Sequence, residues 1–241
     1  MTSTEPEWDC VVVGGGAAGL SAALVLGRAR RRTLIVDAGR QSNLAADGIG
    51  GLLGYDGRPP SQLYEDGRTD LAKYPNVEFR RGEVRSGRAD GATFTLGLAD
   101  GARVSTRRVL LATGMDYRAP AIPGLAELWG RSAFHCPFCH GWEMRDQPLA
   151  ILARGERAEH MLQMLRGWTD DIVVLTDGPA GFDADVRIDE RRIAEFVSEG
   201  GELVAVRFAD GATLARRRRP RLRCDVERLA RGRPRGEGGA Q

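Results

Sequence analysis

The run Asp9-Cys10-Val11-Val12-Val13-Gly14-Gly15-Gly16-Ala17-Ala18-Gly19-Leu20 decides the fold. Its first part is short, apolar and β-branched, the pattern of a buried strand. The glycines Gly14-x-Gly16-x-x-Gly19 then turn the chain into a segment read as a helix from Leu20 to about Arg30. In it Leu20, Ala23, Leu24 and Gly27 stand at helical spacing. A second strand, Thr33-Leu34-Ile35-Val36, ends on Asp37, 23 residues after Gly14. The spacing predicts a β-α-β unit. A lone G-x-G-x-x-G carries little weight, but one set between a strand and a helix, with an acid at this distance, marks a dinucleotide-binding turn.

The residue types have separable physical reasons. Gly14 permits the tight turn, Gly16 lets the backbone approach a pyrophosphate, and Gly19 lets the helix pack on the strand. The free amides at the helix start suit a phosphate, and Asp37 suits a ribose hydroxyl pair. The competing reading is a turn of the same shape that holds nothing.

Residues 40–75 are loop-rich, with a helix expected from Ser61 to Tyr74 and capped by Ser61. Val77–Arg80 and Gly82–Arg85 read as strands, and Thr93–Leu96 with Arg103–Thr106 as a hairpin about Asp100-Gly101. Arg108 to Gly114 reads as a separate buried strand ending in a small-residue turn, and Pro120 and Pro123 mark a boundary. Beyond them the opening pattern recurs: strand Pro148–Leu152, helix Glu156–Arg166, strand Asp171–Thr176. Aligning Ala153 with Gly14 puts Gly155 on Gly16, Ala158 on Gly19 and Thr176 on Asp37. Short strands follow from Arg187 to Leu214. The fold class is α/β, with two Rossmann-like (ββα, three-layer) dinucleotide-binding domains. Residues 1–117 form the first, 118–214 the second, and 215–241 an Arg-rich tail expected to be disordered.

At 241 residues, 42% hydrophobic and 28% charged, the chain has the composition of a globular protein. No apolar run approaches the roughly 18 residues that span a bilayer. The acidic, polar N-terminus lacks the features of a secretory signal, so the expectation is a cytoplasmic protein without membrane contact. Residues 215–241 hold ten Arg against Asp225, Glu227 and Glu237, a local +7 that leaves −5 for the rest of the +2 total. A nucleic-acid arm is one reading of that tail, but no aromatic residues interleave with the charges to stack on bases.

Phe134-His135-Cys136-Pro137-Phe138-Cys139-His140-Gly141-Trp142-Glu143 carries the chemistry. A Cys-x-x-Cys reads as a redox dithiol, half a zinc site, or, with the following His, a haem attachment site. His135, Cys136, Cys139 and His140 are too contiguous to surround one zinc, and there is no second Cys-x-x-Cys, so no metal site is expected. Haem attachment needs export. His140, adjacent to Cys139, is a candidate base for thiol deprotonation.

Two dinucleotide units with a Cys-x-x-Cys just before the second resemble the low-molecular-weight thioredoxin reductase family of FAD-dependent disulfide oxidoreductases. The resemblance covers residue 9 to about 214. It rests on Gly14-x-Gly16-x-x-Gly19, Ala112-Thr113-Gly114, Cys136-Pro-Phe-Cys139 and the second β-α-β unit in that order. It implies that Gly14, Gly15, Gly16, Ala17 and Gly19 form the FAD pyrophosphate turn and that Asp37 binds the adenosine ribose. It also implies that Val84 sits by the adenine, that Ala112 to Gly114 close over the cofactor, and that the protein is a homodimer. Cys139 would face the flavin and Cys136 would exchange with substrate. Cys-x-x-Cys-His-Gly with an aromatic and Glu143 is more similar to the branch that closes disulfides in small molecules such as gliotoxin and holomycin, with oxygen as acceptor.

Departures from the reductase pattern sharpen that expectation. Ala153 replaces the first fingerprint Gly of the second unit. Asp177 and Gly178 stand where the family has paired Arg for the 2′-phosphate, which argues against NAD(P)H as donor. The expected partner is a small-molecule dithiol or disulfide, or a small redox protein. An NAD(P)H-dependent disulfide reductase and a non-catalytic remnant are the alternatives. Nothing after Leu214 resembles the Gly-Asp segment and closing helix of the family's FAD domain, so that domain is expected to lack its C-terminal segment. Arg/Pro/Gly-rich text is what GC-rich DNA gives in a shifted frame. Translating the coding DNA in its two other frames tests this: a Gly-Asp segment followed by a helix is expected there, and its absence from both frames sinks the idea.

Overall fold

The computed structural model describes residues 6–216; the expectation for the Arg-rich tail from Arg217 onward lies outside these residues. The first unit runs β1 (Trp8–Val13), α1 (Ala17–Arg28), β2 (Thr33–Asp37), α2 (Pro60–Leu71), β3 (Val77–Arg81), β4 (Val84–Asp90), β5 (Thr93–Leu98) and β6 (Arg103–Leu111). Its six strands form one sheet in the order β3-β2-β1-β6-β5-β4. β1 pairs in parallel with both β2 and β6, and β4, β5 and β6 form an antiparallel meander. Val11, Val12, Leu34 and Ile35 are fully buried, as the apolar runs require of strands covered on both faces. Gly19, Leu20, Ala23 and Gly27 are the buried residues of α1 and seat it on the sheet.

Two sequence expectations change. The arm Arg103–Thr106 and the strand from Arg108 are one continuous strand, β6, because Thr106 pairs with Phe94 on one side and Trp8 on the other. Thr106 is fully buried and its hydroxyl donates to the Arg108 carbonyl at 2.8 Å, so no turn interrupts the chain there. Ser61 does not cap α2. The helix starts one residue earlier, with Pro59 as N-cap and Pro60 in its first turn, where the absent N–H costs nothing. It ends at Leu71 rather than Tyr74.

The chain then passes through α3 (Pro137–His140) into the second unit: β7 (Leu149–Leu152), α4 (Gly155–Leu165), β8 (Ile172–Leu175), β9 (Arg187–Asp189), β10 (Ile193–Glu199), β11 (Glu202–Phe208) and β12 (Thr213–Ala215). β7-β8-β9 form a parallel sheet and β10-β11-β12 an antiparallel one. Phe196, Val206, Phe208 and Leu214 of the second pack with Val173 and Leu175 of the first, and with Leu125 and Leu128 ahead of α3. No helix among the described residues is long and apolar enough to cross a membrane.

Leu34 lies fully buried among Val11, Val36, Leu96 and Val104. Leu34→Ala is expected to lower unfolding free energy by about 2–5 kcal/mol, read as a fall in the denaturant midpoint with an unchanged slope. A loss below about 1 kcal/mol would contradict the packing described.

Candidate active site

The first turn is built from bare backbone. Gly14 has φ +106°, and a Cβ there would lie 2.2 Å from the Ala112 carbonyl oxygen and 3.3 Å from Thr113 Cα. A Cβ on Gly19 would lie 1.9 Å from the Gly14 carbonyl oxygen. Gly14, Gly19, Ala112 and Thr113, far apart in sequence, therefore converge. The Ala112 amide donates to the Val13 carbonyl at 2.8 Å and locks the end of β6 beside the turn. Asp37 is buried at the end of β2. Its carboxylate accepts the Gly15 amide at 3.0 Å and the Gln41 side-chain amide at 3.0 and 3.1 Å, and pairs with Arg81 at 3.3 Å.

The turn leaves room in front of it. A Cβ on Gly16 would meet nothing nearer than Gln41 Cγ at 3.7 Å, and one on Gly114 nothing within 4 Å. Ala17, Thr113 and Gly114 are exposed. α1 begins without a capping side chain and without an acid in its first turn, so its leading amides remain for an anion. Val84 opens β4 two residues after Gly82, whose amide donates to the Asp37 carbonyl at 2.9 Å, and packs with the strand core around Leu34 and Leu98. These features fit a dinucleotide pyrophosphate laid against Gly14–Ala17.

The dithiol sits on α3. Cys136 precedes the helix and Cys139 lies within it, which brings the two sulfurs to 2.7 Å. Gly141 fits because it has no side chain: a Cβ would lie 2.7 Å from the Trp168 ring. Phe138 meets the same ring edge-on at 5.6 Å between centroids, so Trp168 fixes the helix against the second unit. From the other side, Gly50 presses on the motif; its Cβ would lie 2.3 Å from the Cys139 carbonyl oxygen. Cys139 is exposed and Cys136 half-buried. Loss of solvent around Cys139, then its contact with the Cys136 sulfur, pushes its thiol up to about 11. Burial in β1 also raises the thiol of Cys10, which takes no part in the site.

His140 does not reach the sulfurs. Its ring stacks on Phe134 at 5.2 Å, and both ring nitrogens are enclosed without a hydrogen-bond partner among the described residues. His135 lies 4.0 Å from the Tyr117 ring; desolvation, then the neighbouring His140, lowers its pKa. No group of three or more metal-ligating side chains occurs among the described residues.

The second turn differs. Ala153 lacks the positive φ of Gly14, and Gly155 takes it instead, at +53°. Arg154, at the position of Gly15, donates to the carbonyls of Thr176 and Asp177, the positions at and just after that of Asp37. A Cβ on Gly178 would lie 2.9 Å from Arg154 Nη2. In the first unit that ground is closed instead by Asp37 and Phe79, which a Cβ on Gly15 would meet at 2.8 and 3.0 Å. Ala153 and Asp177 stand out in the sequence as departures from the fingerprint, whereas Arg154 does not. The alignment that set Ala153 on Gly14 also set Arg154 on Gly15, a signal present in the residues. Gly50 left only the weak trace of a glycine-rich loop.

Two nucleotide-type turns flanking a Cys-x-x-Cys define a flavin-dependent disulfide oxidoreductase. The chain belongs to the pyridine nucleotide-disulphide oxidoreductase family, whose model matches residues 8–162, and it is thioredoxin reductase-like within it. It is 31% identical to thioredoxin reductase tcpT of Claviceps purpurea, over 87% of this chain and 71% of that protein. The crystal structure of HlmI superposes with a TM-score of 0.81 at 40% identity, over 87% of this chain and 69% of that one. A putative thioredoxin reductase TrxB from Bacillus anthracis gives 0.81 at 34%, over 86% and 73%. The family's enzymes are FAD-dependent, and this chain shares their α/β fold.

The raised Cys139 thiol has a measurable consequence. In the reduced protein, alkylation of Cys139 is expected to climb about tenfold per pH unit from pH 7 to 10, because the thiolate is the reacting form. Mass spectrometry of the alkylated peptide reads this, and a plateau below about pH 9 would contradict the raised pKa.

Proposed function

We propose that this chain is a dithiol oxidase: it takes two electrons from a small-molecule dithiol onto the Cys136–Cys139 pair, with FAD and then oxygen as acceptors. The observation that carries this reading is the contrast between the turns. Both turns leave their middle glycine open: a Cβ on Gly16 would meet nothing nearer than 3.7 Å, and one on Gly155 nothing within 4 Å. Arg154, however, bonds the Thr176 and Asp177 carbonyls, where the first unit sets the Gly15 amide on the Asp37 carboxylate. Asp177 adds a carboxylate at the place of a 2′-phosphate, and it engages Arg154 at 3.9 Å and Arg192 at 3.6 Å, the cations such a phosphate would need. Electrons then enter through the dithiol rather than from a nicotinamide cofactor.

In this reading Gly14, Gly15, Gly16 and Ala17 hold the FAD pyrophosphate with Gly19 behind them. Asp37 holds the ribose, Val84 lies toward the adenine, and Ala112, Thr113 and Gly114 close over the cofactor. When bound, FAD supplies a two-electron acceptor that oxygen reoxidises. The chain's own residues handle the sulfur chemistry. A substrate thiolate attacks Cys136 Sγ of the disulfide; the S–S bond breaks and Cys139 leaves with the electron pair. The substrate's second thiolate then attacks the sulfur joined to Cys136 and releases the Cys136 thiolate. The substrate leaves as a disulfide, two electrons poorer. To accept substrate protons, His140 would have to leave its stack on Phe134, where both its ring nitrogens are enclosed.

The test is the visible spectrum of the purified yellow protein under dithiol or NADPH. Bleaching by dithiothreitol with oxygen uptake is expected, with no bleaching by NADPH. Cys136→Ser and Cys139→Ser are each expected to stop dithiol bleaching while retaining colour. His140→Gln is expected to lower kcat/KM about 10²-fold or more. Bleaching by NADPH would instead support a disulfide reductase, and a colourless protein would sink both enzymatic readings for the chain as it stands.

A further inference from the structure

The two units share more than a turn. Ala99-Asp100-Gly101-Ala102 recurs 110 residues later as Ala209-Asp210-Gly211-Ala212. The hydrogen bonds recur as well: Leu98 N to Ala102 O at 2.9 Å matches Phe208 N to Ala212 O at 2.9 Å. The Asp100 carboxylate accepts the Ala102 amide, and Asp210 that of Ala212, both at 2.9 Å. The β5–β6 register, Leu96 opposite Val104, becomes Val206 opposite Leu214 in β11–β12. The same offset carries Thr106 onto Arg216. Thr106 lies opposite Phe94, and the Arg216 amide donates to the carbonyl of Val204, the counterpart of Phe94, at 2.9 Å.

Past that point the units diverge. In the first, β6 continues and lays Val109, Leu110 and Leu111 along β1, parallel, opposite Val11, Val12 and Val13. In the second, the counterpart of β1 is β7, which is the edge strand of the order β7-β8-β9. Along its free edge runs a cavity of about 570 Å³. Leu149 to Ala153 line it, facing Leu128, Trp129 and Phe196, and Arg216 lines it as well.

The edge is set for a strand. Leu149 and Ala153 donate their amides to the Asp171 and Leu175 carbonyls of the β8 side, as Cys10 and Gly14 do to Arg32 and Val36 in the first unit. Alternation then turns the amides and carbonyls of Ala150 and Leu152 toward the cavity. Val13, the counterpart of Leu152, uses its carbonyl in this direction, toward the amide of Ala112.

We infer that this slot is a docking site for an extended apolar strand from a separate polypeptide, which enters parallel to β7 and adds to the sheet. The first unit fixes the chemistry of the occupant, since the same seat there is filled by Val109-Leu110-Leu111. The chain's own continuation does not match it. At the offset of 110 those three positions become Arg219, Pro220 and Arg221. In sequence, Arg219 and Arg221 are charged where Val109 and Leu111 are apolar, and Pro220 has no amide to donate.

The experiment uses the full chain and a fluorescein-labelled peptide Thr-Arg-Arg-Val-Leu-Leu-Ala-Thr-Gly, the sequence of residues 106–114. Fluorescence anisotropy is expected to show saturable binding below 100 µM. Ala150→Pro removes a slot-facing amide while leaving those that bond β8, and is expected to weaken binding at least tenfold. Val25→Ser, at an exposed apolar site on α1, is expected to leave binding unchanged. Should Ala150→Pro fail to fold, N-methylation of alternate peptide amides in two registers replaces it: one register is expected to abolish binding and the other to preserve it. A peptide of residues 216–222 is expected not to bind or compete. The proposal is overturned by absent saturation, by equal binding of the 216–222 peptide, or by indifference to Ala150→Pro or to both N-methyl registers. It is also overturned if a concentration-dependent dimer forms in light scattering and excludes the peptide.

Discussion

Backbone packed on backbone with no side chain between is the contact on which the first unit depends. The Gly14 carbonyl approaches α1 at Gly19, and the end of β6 approaches Gly14 at Ala112, each at distances that a single Cβ would forbid. Three elements that would otherwise stand a side chain apart thus meet at one point. Because helix–strand spacing is set there, the leading amides of α1 come to lie just beyond the sheet edge, where a phosphate gains from both free donors and the helix dipole. The apolar burial of Val11, Val12, Leu34 and Ile35 supplies the stability, and the glycines decide what shape it stabilises.

The same principle, inverted, separates the second unit from the first. Replacing Gly15 by Arg154 does more than crowd a turn. The guanidinium bonds carbonyls at the end of β8, and turn and strand end are joined by a side chain where the first unit joins them through an amide and the Asp37 carboxylate.

Much of this was legible in the residues. Both β-α-β units follow from alternation of apolar strand, glycine turn and helical period, since burial on both faces of β1, β2 and β8 leaves an unbroken apolar run. The sulfur pairing follows from the Cys-x-x-Cys spacing. Other features were not legible. Ser61 was a natural N-cap by type, but Pro59-Pro60 preset the helix one residue earlier. The continuity of β6 was hidden because Arg107 and Arg108 interrupt the apolar pattern, although Thr106 is paired on both sides. His140 looked like a thiol partner by adjacency, yet the helical path of α3 turns its ring onto Phe134. The pressure of Gly50 on Cys139 is tertiary and has no local signature.

β6 belongs to two ladders of opposite sense, antiparallel to β5 and parallel to β1, and Thr106 is the rung they share. Its two halves therefore tolerate change unequally. Lengthening the hairpin turn at Asp100-Gly101 alters a surface loop and leaves everything beyond Thr106 in place. One residue inserted between Thr106 and Val109 would turn every later side chain of the strand to the opposite face. Val109 and Leu110 would trade faces, and Ala112 would be carried past Gly14. The dinucleotide turn is thus held in phase from a distance, by the residue count of a strand whose first half never approaches it.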